Sequence, residues 1–323
     1  MQLRRERDVS NTSPASTPAI LVAGHIVIDQ IIDDRGQRYP RTSLGGPISY
    51  SSLALTSLGW KCEIVTKVGF DFPSVYERFL HQQARLDLSE FMVPSYRTTS
   101  YRIDRTFNPR KMWLLYKCKS LAWDNFAKYL GDGVLKPKTL ILNSVANEIT
   151  LSLMERLSKE FDLVLADSQG FVRRIPKDHS EIRLKSGLDF SSLSGVDVLK
   201  ADAEELASWT GVRDGETSIR LISKFVDTLL ITSGAGVVDL YQNGKHRFSA
   251  HPFKVKVGDT TGAGDIMLAS FAAKFAETSE HRESLIFAVS AASLAVKRIG
   301  VEKAVLDPRE VEDSRGLVKV TAF

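Results

Sequence analysis

The sequence predicts an α/β protein with a doubly wound, mainly parallel sheet flanked by helices and a small β-sheet lid. From residue 139 onward, strands alternate with helices, as in sheets that carry helices on both faces. The strand at residues 19–22 is apolar throughout and that at 139–143 has an apolar centre at 140–142, which is typical of burial on both faces. Two hairpins in the first half are more polar, and they suit a separate, exposed sheet.

The first half of the chain contains both hairpins. Gly45-Gly46-Pro47 separates the first hairpin from a helix of small residues, and Gly59 ends that helix. The first hairpin has its predicted turn at residues 33–36. The predicted elements are a strand at 19–22 that continues towards residue 29, a hairpin at 30–44, a helix at 48–58, a strand at 62–68, a helix at 74–84, and hairpin strands at 98–104 and 111–118.

The second half predicts the main α/β layers. Its short apolar runs are bounded by polar and turn residues, as expected for strands. The predicted elements are strands at 139–143, 163–167, 196–201 and 228–232, helices at 151–160, 203–210, 262–277 and 284–299, and a hairpin around 242–244.

The composition excludes several classes of protein. The chain has 323 residues, 43% of them hydrophobic, which excludes disorder of the whole chain. Its apolar runs are shorter than the ~20 residues that span a bilayer. The 43 basic and 39 acidic residues give a net charge of +4, too small and dispersed to indicate nucleic-acid binding. Cys62 and Cys118 fit no metal-binding spacing, so we expect buried thiols and a cytoplasmic protein.

The predicted domain organisation is simple. Residues 1–18 are polar and rich in Pro, Ser and Thr, which is typical of a flexible tail. No low-complexity linker divides the rest. Residues 19–323 are therefore expected to form a single domain, with lid strands from about 30–44 and 97–118.

The segment with the clearest chemistry is DTTGAGD at residues 259–265, which leads directly into an apolar helix. The small residues Gly262, Ala263 and Gly264 leave the first main-chain N–H groups uncovered, and the helix dipole adds positive potential, so the turn suits a phosphate. Asp265 lies in the same turn, where a carboxylate can accept a proton from a hydroxyl. An anion site beside a carboxylate suits phosphoryl transfer. The alternative is a structural helix start, with Asp265 only as a first-turn acid.

This segment resembles the signature of the ribokinase-like (PfkB) carbohydrate and nucleoside kinases, and the resemblance extends over about residues 19–301. It implies a Rossmann-like α/β domain with a β-sheet lid. It also implies that Asp265 is the general base and that residues 262–264 form the anion hole for the transferred phosphate. Asp259 and Thr261 match positions that hold an activating monovalent cation such as K⁺ in many members. Gly45-Gly46 matches the family's di-glycine, and Asp29 the carboxylate that holds substrate hydroxyls.

The same resemblance implies a site for ATP and Mg²⁺. Residues 199–205 resemble the family's NxxE region, with Lys200 beside it, Asp202 in the Asn position and Glu205 in the Glu position. Glu205 is the predicted magnesium residue, through water. The alternative for Asp202 and Glu205 is helix capping. Residues 232–236 resemble the nucleotide-binding glycine turn one residue short, which makes Thr232, Gly234 and Gly236 nucleotide-binding predictions.

Acceptor specificity is predicted from a smaller set of residues. Asp29, Ser49 and Asn147 offer polar groups for hydroxyls, which favours a neutral polyol. Residues 44–50, 65–69 and 166–173 resemble the inositol 3-kinase branch, which implies roles for Asp167, Gln169 and Arg173 and makes myo-inositol the leading acceptor. Another sugar or a nucleoside is the alternative, with ribose, fructose, ketodeoxygluconate and adenosine-like acceptors among them. Four arginines in or near the second hairpin are expected to be solvated, namely Arg97, Arg102, Arg105 and Arg110.

Other functions are less consistent with the sequence. A sugar or nucleotide sensor on the same fold has no need for Asp265. A dinucleotide oxidoreductase lacks GxGxxG after the first strand, a P-loop NTPase lacks GxxxxGK[ST], and a zinc hydrolase lacks HExxH. Because lid strands in this family often pair between subunits, a homodimer through the lid is a further expectation, with no nucleic-acid or membrane partner.

Overall fold

A computed structural model describes residues 19–33, 41–131, 136–176, 178, 180–233 and 236–323. The strands are β1 (Ile20–Ala23), β2 (Val27–Ile32), β3 (Arg41–Gly45), β4 (Cys62–Val65), β5 (Val68–Gly69), β6 (Met92–Val93), β7 (Ser100–Asp104), β8 (Lys111–Tyr116), β9 (Thr139–Leu142), β10 (Leu163–Asp167), β11 (Arg173–Arg174), β12 (Arg183–Leu184), β13 (Val198–Asp202), β14 (Thr228–Thr232), β15 (Val238–Gln242), β16 (Lys245–His251) and β17 (Lys319–Ala322). The helices are α1 (Pro47–Ser57), α2 (Ser74–Ala84), α3 (Leu151–Leu157), α4 (Gln169–Val172), α5 (Ala203–Thr210), α6 (Gly215–Ile222), α7 (Ala263–Thr278), α8 (His281–Ala295) and α9 (Pro308–Ser314).

The main sheet has nine strands in the order β17-β16-β15-β14-β13-β10-β9-β1-β4. The strands from β14 to β4 pair in parallel, and the three strands at the other edge are antiparallel. This arrangement confirms the predicted mainly parallel α/β sheet. The carboxyl ends of the parallel strands meet at one edge, where ligands bind in open α/β sheets.

Helices cover both faces of this sheet because its strands are apolar on both sides. In β1, Ile20 and Val22 pack into one core with α1, α7 and α8, whereas Leu21 and Ala23 pack into a second core with α3, α5 and α6. Alternate residues of a strand point to opposite faces, so a wholly apolar strand needs two covering layers. The doubly wound prediction is confirmed.

A smaller four-stranded sheet, in the order β3-β2-β7-β8, forms the lid sheet. Its strand β2 alternates buried and half-buried residues, as expected for a sheet with one covered face. Val27, Tyr101 and Ile103 of the lid sheet pack against Val145 and Ala146 of the main body. The separate polar sheet predicted from the hairpins is therefore confirmed. The tail at 1–18 and the first hairpin turn, apart from Asp33, lie outside the described residues.

Several element boundaries differ from the predictions. The predicted strand at 62–68 is divided into β4 and β5, and α8 begins at His281 instead of residue 284. The sequence analysis did not predict α6, α9 or β17. Helix α6 begins at a glycine, which is unfavourable inside a helix, and it depends on the Asp214 cap, whose side chain accepts from Thr217 N–H.

Cys118 is buried and Cys62 is half-buried, and both are free thiols. Of the helices within the described ranges, none combines the length and apolar character that a membrane crossing requires.

Candidate functional site

The predicted anion turn lies between the main body and the lid sheet. Gly262 has φ +77° and precedes the first residue of α7. A Cβ atom at Gly262 would lie 2.5 Å from the ring of Tyr50, and a Cβ atom at Gly264 would lie 2.9 Å from Nζ of Lys200. Gly262 is therefore required by the Tyr50 ring and by its left-handed backbone, whereas a side chain at position 264 would displace the end of Lys200. The turn begins a 16-residue helix, and the first N–H groups of a helix have no partner within it; that of Ala263 donates to the main-chain oxygen of Thr260 over 3.2 Å.

Two cavities meet at this turn. The Lys200 cavity has a volume of about 550 Å³, and Ala263 and Gly264 form part of its wall. The Asp29 cavity has a volume of about 60 Å³, and Gly262 and Asp265 form part of its wall. Four consecutive residues thus separate one cavity from the other. A group held on the turn is accessible from both sides.

Asp265 is only 9% exposed. Burial raises the pKa of its carboxyl, the nearby Asp167 carboxylate raises it further, and Lys200, Arg173 and Lys303 oppose the shift. A carboxylate with a pKa raised towards neutrality is a stronger proton acceptor than an ordinary aspartate. Asp265 therefore has the properties that a general base requires.

Asp29 lies across the same cavity, on β2 of the lid sheet, and is 6% exposed. Burial raises the pKa of Asp29 to about 7, although Arg110, Arg173 and Arg105 lower it. A Cβ atom at Gly45 would lie 2.1 Å from Oδ2 of Asp29. The first glycine of the pair is thus required because the Asp29 carboxylate lies directly on it.

Gly46, the second glycine of the pair, caps α1 with φ +84° and lines the Asp29 cavity. A Cβ atom there would lie 2.7 Å from the main-chain oxygen of His25. The backbone of the lid sheet and that of α1 can therefore approach each other only with glycine at this position.

Two arginines line the Asp29 cavity. Arg173 is buried and donates to Oε1 of Gln169 over 2.6 Å and to the main-chain oxygen of Val145 over 3.0 Å. Arg110 is exposed as a whole residue, yet the pKa of its guanidinium is lowered, first by burial of the group and then by Arg173 and Arg105. Arg110 is therefore exposed, as the sequence analysis expected, and it also lines the Asp29 cavity.

The other lid arginines behave differently from one another. Arg102 is exposed, as expected. Arg97 lies over the ring of Tyr116, with 4.6 Å between its Cζ atom and the ring centroid. Arg105 contacts the anion turn: its Nη2 donates to Oγ1 of Thr261 over 2.6 Å and to Oδ1 of Asp259 over 3.1 Å. The expectation of solvation is therefore wrong for Arg105.

The Lys200 cavity combines charged and apolar side chains in its wall. Lys200 Nζ donates to Oδ2 of Asp167 over 2.7 Å. Burial alone would lower the pKa of Lys200, but Asp167, Glu205 and Asp265 together raise it, so the lysine stays cationic. Lys254 and several hydroxyl residues also line the cavity, and the other side chains in its wall are mostly apolar, among them Val238, Phe253, Val255, Val257, Met267, Val289 and Val296.

Thr232 and Gly236 also line the Lys200 cavity, whereas Gly234 lies outside the described residues. Asp202 and Glu205 do not form its wall. They cap α5 reciprocally, with Glu205 N–H donating to Oδ1 of Asp202 over 2.8 Å and Asp202 N–H donating to Oε2 of Glu205 over 3.1 Å. The structure thus assigns both residues the capping contacts that were the alternative in the sequence analysis.

Glu205 nevertheless retains an unusual environment. Burial raises its pKa, the carboxylates of Asp167 and Asp202 raise it further, and Lys200 lowers it. Within the described part of the chain, no cluster of three or more His, Cys, Asp or Glu side chains could hold a metal by itself. A magnesium ion here would need phosphate oxygens as its main ligands, with a single carboxylate in support, as is usual for Mg²⁺.

Two predicted acceptor residues do not line the Asp29 cavity. Ser49 is buried and donates its hydroxyl to the main-chain oxygen of Gly45 over 2.9 Å. Asn147 donates from Nδ2 to the main-chain oxygen of Arg173 over 2.8 Å, and its Oδ1 accepts from Lys185. Both side chains therefore support the loops around the cavity instead of facing it.

The predicted cation residues have two cationic neighbours. In addition to the contact with Arg105, Asp259 is paired with Lys303, whose Nζ lies 3.3 Å from Oδ2 and 2.9 Å from the main-chain oxygen of Asp259. Burial by itself would raise the pKa of Asp259, but the Thr261 N–H bond, Lys303 and Arg105 lower it overall. Lys303 was missed in the sequence analysis because nothing in its local sequence marks it.

Comparison with known proteins agrees with this geometry. Residues 163–307 match the model of the pfkB family carbohydrate kinases. The 2-dehydro-3-deoxygluconokinase of Thermoproteus tenax is 28% identical over 272 residues, which cover 81% of this chain and 82% of that protein.

Two solved structures show the same fold. A pyrophosphate-dependent kinase of the ribokinase family, complexed with a pyrophosphate analog and myo-inositol, has a TM-score of 0.74 at 22% identity and covers 90% of this chain and 99% of its own. A fructokinase double mutant from Vibrio cholerae, with bound fructose, ADP and potassium ion, has a TM-score of 0.72 at 17% identity and covers 92% and 98%. Residues 163–307 therefore carry a pfkB family carbohydrate kinase domain, the described chain has a ribokinase-like fold, and the protein is a sugar or polyol phosphotransferase.

Proposed function

We propose that this kinase transfers a phosphoryl group from ATP in the Lys200 cavity to a hydroxyl of a small polyol or sugar in the Asp29 cavity. The observation that carries the proposal is the division of residues 262–265 between the two cavities. A phosphate bound to the N–H groups of this turn would face the donor on one side and the acceptor hydroxyl on the other. In-line transfer requires this arrangement.

Each group at the turn has a proposed role in this transfer. Asp265 accepts the proton of the attacking hydroxyl, and its raised pKa suits this role near neutral pH. The N–H groups of residues 262–264 stabilise the charge that develops on the transferred phosphoryl group. Lys200 neutralises negative charge on the phosphates of the donor. Asp29 accepts hydrogen bonds from hydroxyls of the acceptor and so orients it. Mg²⁺ would neutralise the phosphates of the donor, and Glu205, next to Lys200, is the carboxylate proposed to support it.

The apolar side chains that line the Lys200 cavity favour a nucleotide donor over pyrophosphate. Valine, phenylalanine and methionine side chains gain nothing from contact with a highly charged inorganic anion. They suit the flat face of a purine base, whose burial removes apolar surface from water. The pyrophosphate-dependent relative leaves this choice open, so the donor is part of the test.

For the acceptor, myo-inositol remains the first proposal, because the resemblance of residues 166–173 to the inositol 3-kinase branch includes Gln169 and Arg173, which the structure brings to the Asp29 cavity. A sugar acid is a second candidate. Two guanidinium groups in a cavity of about 60 Å³ create a positive potential that a neutral polyol does not use. The relative from Thermoproteus tenax is named for an acidic sugar of this kind.

A panel of donors and acceptors tests the proposal. ATP and pyrophosphate are each supplied with myo-inositol, ribose, fructose, adenosine or 2-dehydro-3-deoxygluconate, and the phosphorylated product is detected by ³¹P NMR. We expect turnover with ATP and with a polyol or sugar. If a sugar acid is the acceptor, Arg110→Met should raise its KM about tenfold or more, through loss of a charge-assisted contact, while the exposed Arg102→Met should not.

Other results have distinct meanings. Turnover with pyrophosphate and none with ATP would contradict the proposed donor. Tight binding of a sugar with no phosphorylated product from any donor would favour the sensor alternative over the kinase.

A further inference from the structure

The starting observation is the full burial of the Lys303 ammonium. The side chain of Lys303 has 0% exposure, and that of Asp259 has 5%. The Nζ atom of Lys303 contacts two oxygen atoms of Asp259, the main-chain oxygen at 2.9 Å and Oδ2 at 3.3 Å. It also lies 5.6 Å from the ring centroid of Tyr50, the ring that packs over Gly262. A buried lysine is rare unless it is paired, and here its partner is the first residue of the DTTGAGD segment.

These contacts are those that a monovalent cation would make at this loop. Such an ion carries one positive charge and binds main-chain and carboxylate oxygens, as the ammonium does. The resemblance to the ribokinase-like kinases implies an ion at Asp259 and Thr261. Oδ1 of Asp259 and Oγ1 of Thr261 are instead contacted by the guanidinium of Arg105. With two cations already placed on one carboxylate, a third positive charge at these oxygens would be repelled.

The lysine is fixed in place by its own segment. Lys303 belongs to a 3-10 turn at Val301–Ala304, which follows Gly300 with φ +81°. Ser57, at the end of α1, anchors this turn: its hydroxyl donates to the main-chain oxygen of Ala304 over 3.3 Å and accepts from Leu306 N–H over 3.0 Å. The ammonium is therefore held by the fold and not by a flexible surface chain. The entropic cost of fixing the ammonium beside Asp259 arises once, on folding, whereas a free ion would incur such a cost each time it binds.

We propose that Lys303 is a built-in replacement for the activating monovalent cation, so that the anion turn is held in its active form without K⁺. Its ammonium neutralises Asp259 and fixes the main chain three residues before the anion hole. The inference rests on the proposed kinase function for its activity readout only. Its stability readout is independent of that function.

The test compares the full-length enzyme in potassium chloride and in tetramethylammonium chloride at equal ionic strength. We expect kcat/KM and the melting temperature of the wild type to be the same in both salts. Lys303→Ala leaves room for an ion, so in tetramethylammonium its kcat/KM should fall about tenfold or more, because Asp259 loses its buried partner. Potassium should restore most of the activity and raise the melting temperature of this variant.

Two controls sharpen the comparison. Lys303→Met removes the charge but fills the space, so potassium should restore it less than it restores Lys303→Ala. Lys159→Met removes an exposed lysine that is paired with Glu155 over 3.1 Å. Exposed pairs contribute little, so this variant should match the wild type in both salts.

Two results would overturn the inference. One is a wild type that potassium activates or stabilises markedly, a measurement that remains decisive even if the variants do not fold. The other is a Lys303→Ala enzyme whose activity and melting temperature are indifferent to the choice of salt. If no donor and acceptor pair supports turnover, the proposed function fails, but the melting temperatures still test the role of Lys303.

Discussion

At the scale of single residues, the Asp29 cavity contains two carboxylates whose charged forms are opposed by burial. Asp29 and Asp265 both have raised pKa values, and for each the first cause is the loss of water. Arginine and lysine side chains limit the shift without cancelling it. Such groups are typical of active sites, where an acid or base must change protonation state near neutral pH. The cost of holding them is a loss of stability that depends on pH.

The stability of the protein should therefore fall as pH rises through the range between the unfolded and folded pKa values of Asp29. The ordinary value is 3.8 and the folded value is about 7, so the folded state binds the proton more tightly between them. The contribution of Asp29 is most favourable below that range and is lost as the group ionises. Asp29→Asn removes this change. The difference in free energy of unfolding between about pH 4 and about pH 8 should shrink by about 3 kcal/mol.

Urea denaturation at the two pH values measures this difference. The exposed Asp307→Asn is the matched control, since asparagine caps a helix as well as aspartate does. An Asp29→Asn protein whose unfolding free energy keeps the full pH dependence of the wild type would show that the carboxylate is not held as described.

The sequence indicated some of these residues and missed others for a physical reason. Asp265 and its glycines are consecutive, so one motif reports them together. The contact between Lys303 and Asp259 joins residues 44 positions apart, and only the fold brings them together. Ser49 and Asn147 have suitable chemistry for an acceptor site. Their hydrogen bonds to nearby main-chain groups could not be foreseen from their spacing.

At the scale of elements, the lid sheet and the anion turn are joined by Arg105. This residue directly follows β7, and its guanidinium contacts Asp259 and Thr261 in the turn before α7. The pairing of the lid strands could be predicted from their alternating patterns. The contact could not, because Arg105 and Arg110 lie in a loop where no periodicity applies. The direction of a side chain in such a loop is set by the tertiary fold.

Loss of this contact should weaken the closure of the lid sheet over the Asp29 cavity. In Arg105→Met the acceptor and the turn are held less firmly, and we expect kcat/KM for the acceptor to fall about tenfold or more. Hydrolysis of ATP without acceptor should increase relative to transfer, because water enters more easily. The comparison is with Arg102→Met, which removes an exposed arginine from β7, the strand just before Arg105. Equal transfer efficiency in the two variants would contradict a role for the contact.

At the scale of the whole molecule, the parallel sheet explains why the site lies where it does. Asp167 ends β10, Asp202 ends β13 and Thr232 ends β14, so these residues lie together at one edge of the sheet. The turn before α7 lies at the same edge and completes both cavities. The predicted alternation of strands and helices was sufficient to infer this edge. The two-cavity arrangement was not predictable, because it depends on how the lid sheet packs on the main body.

Two statements about the whole molecule stay predictions. The first is that residues 19–323 act as a single kinase domain with the lid sheet as an inserted part. The second is that the lid sheet pairs between subunits in a homodimer. Its strand order leaves β3 and β8 as edges, and unpaired edges can accept another strand.

The most direct measurement of the central proposal is the rate of phosphorylated product formation by Asp265→Asn, with ATP and the acceptor found in the panel. Asparagine keeps the shape of the side chain but cannot accept the proton. We predict that kcat falls by about 10²–10⁴, while the affinity for ATP stays near that of the wild type and Asp307→Asn remains fully active. A kcat for Asp265→Asn close to that of the wild type would contradict the assignment of this carboxylate as the base between the two cavities.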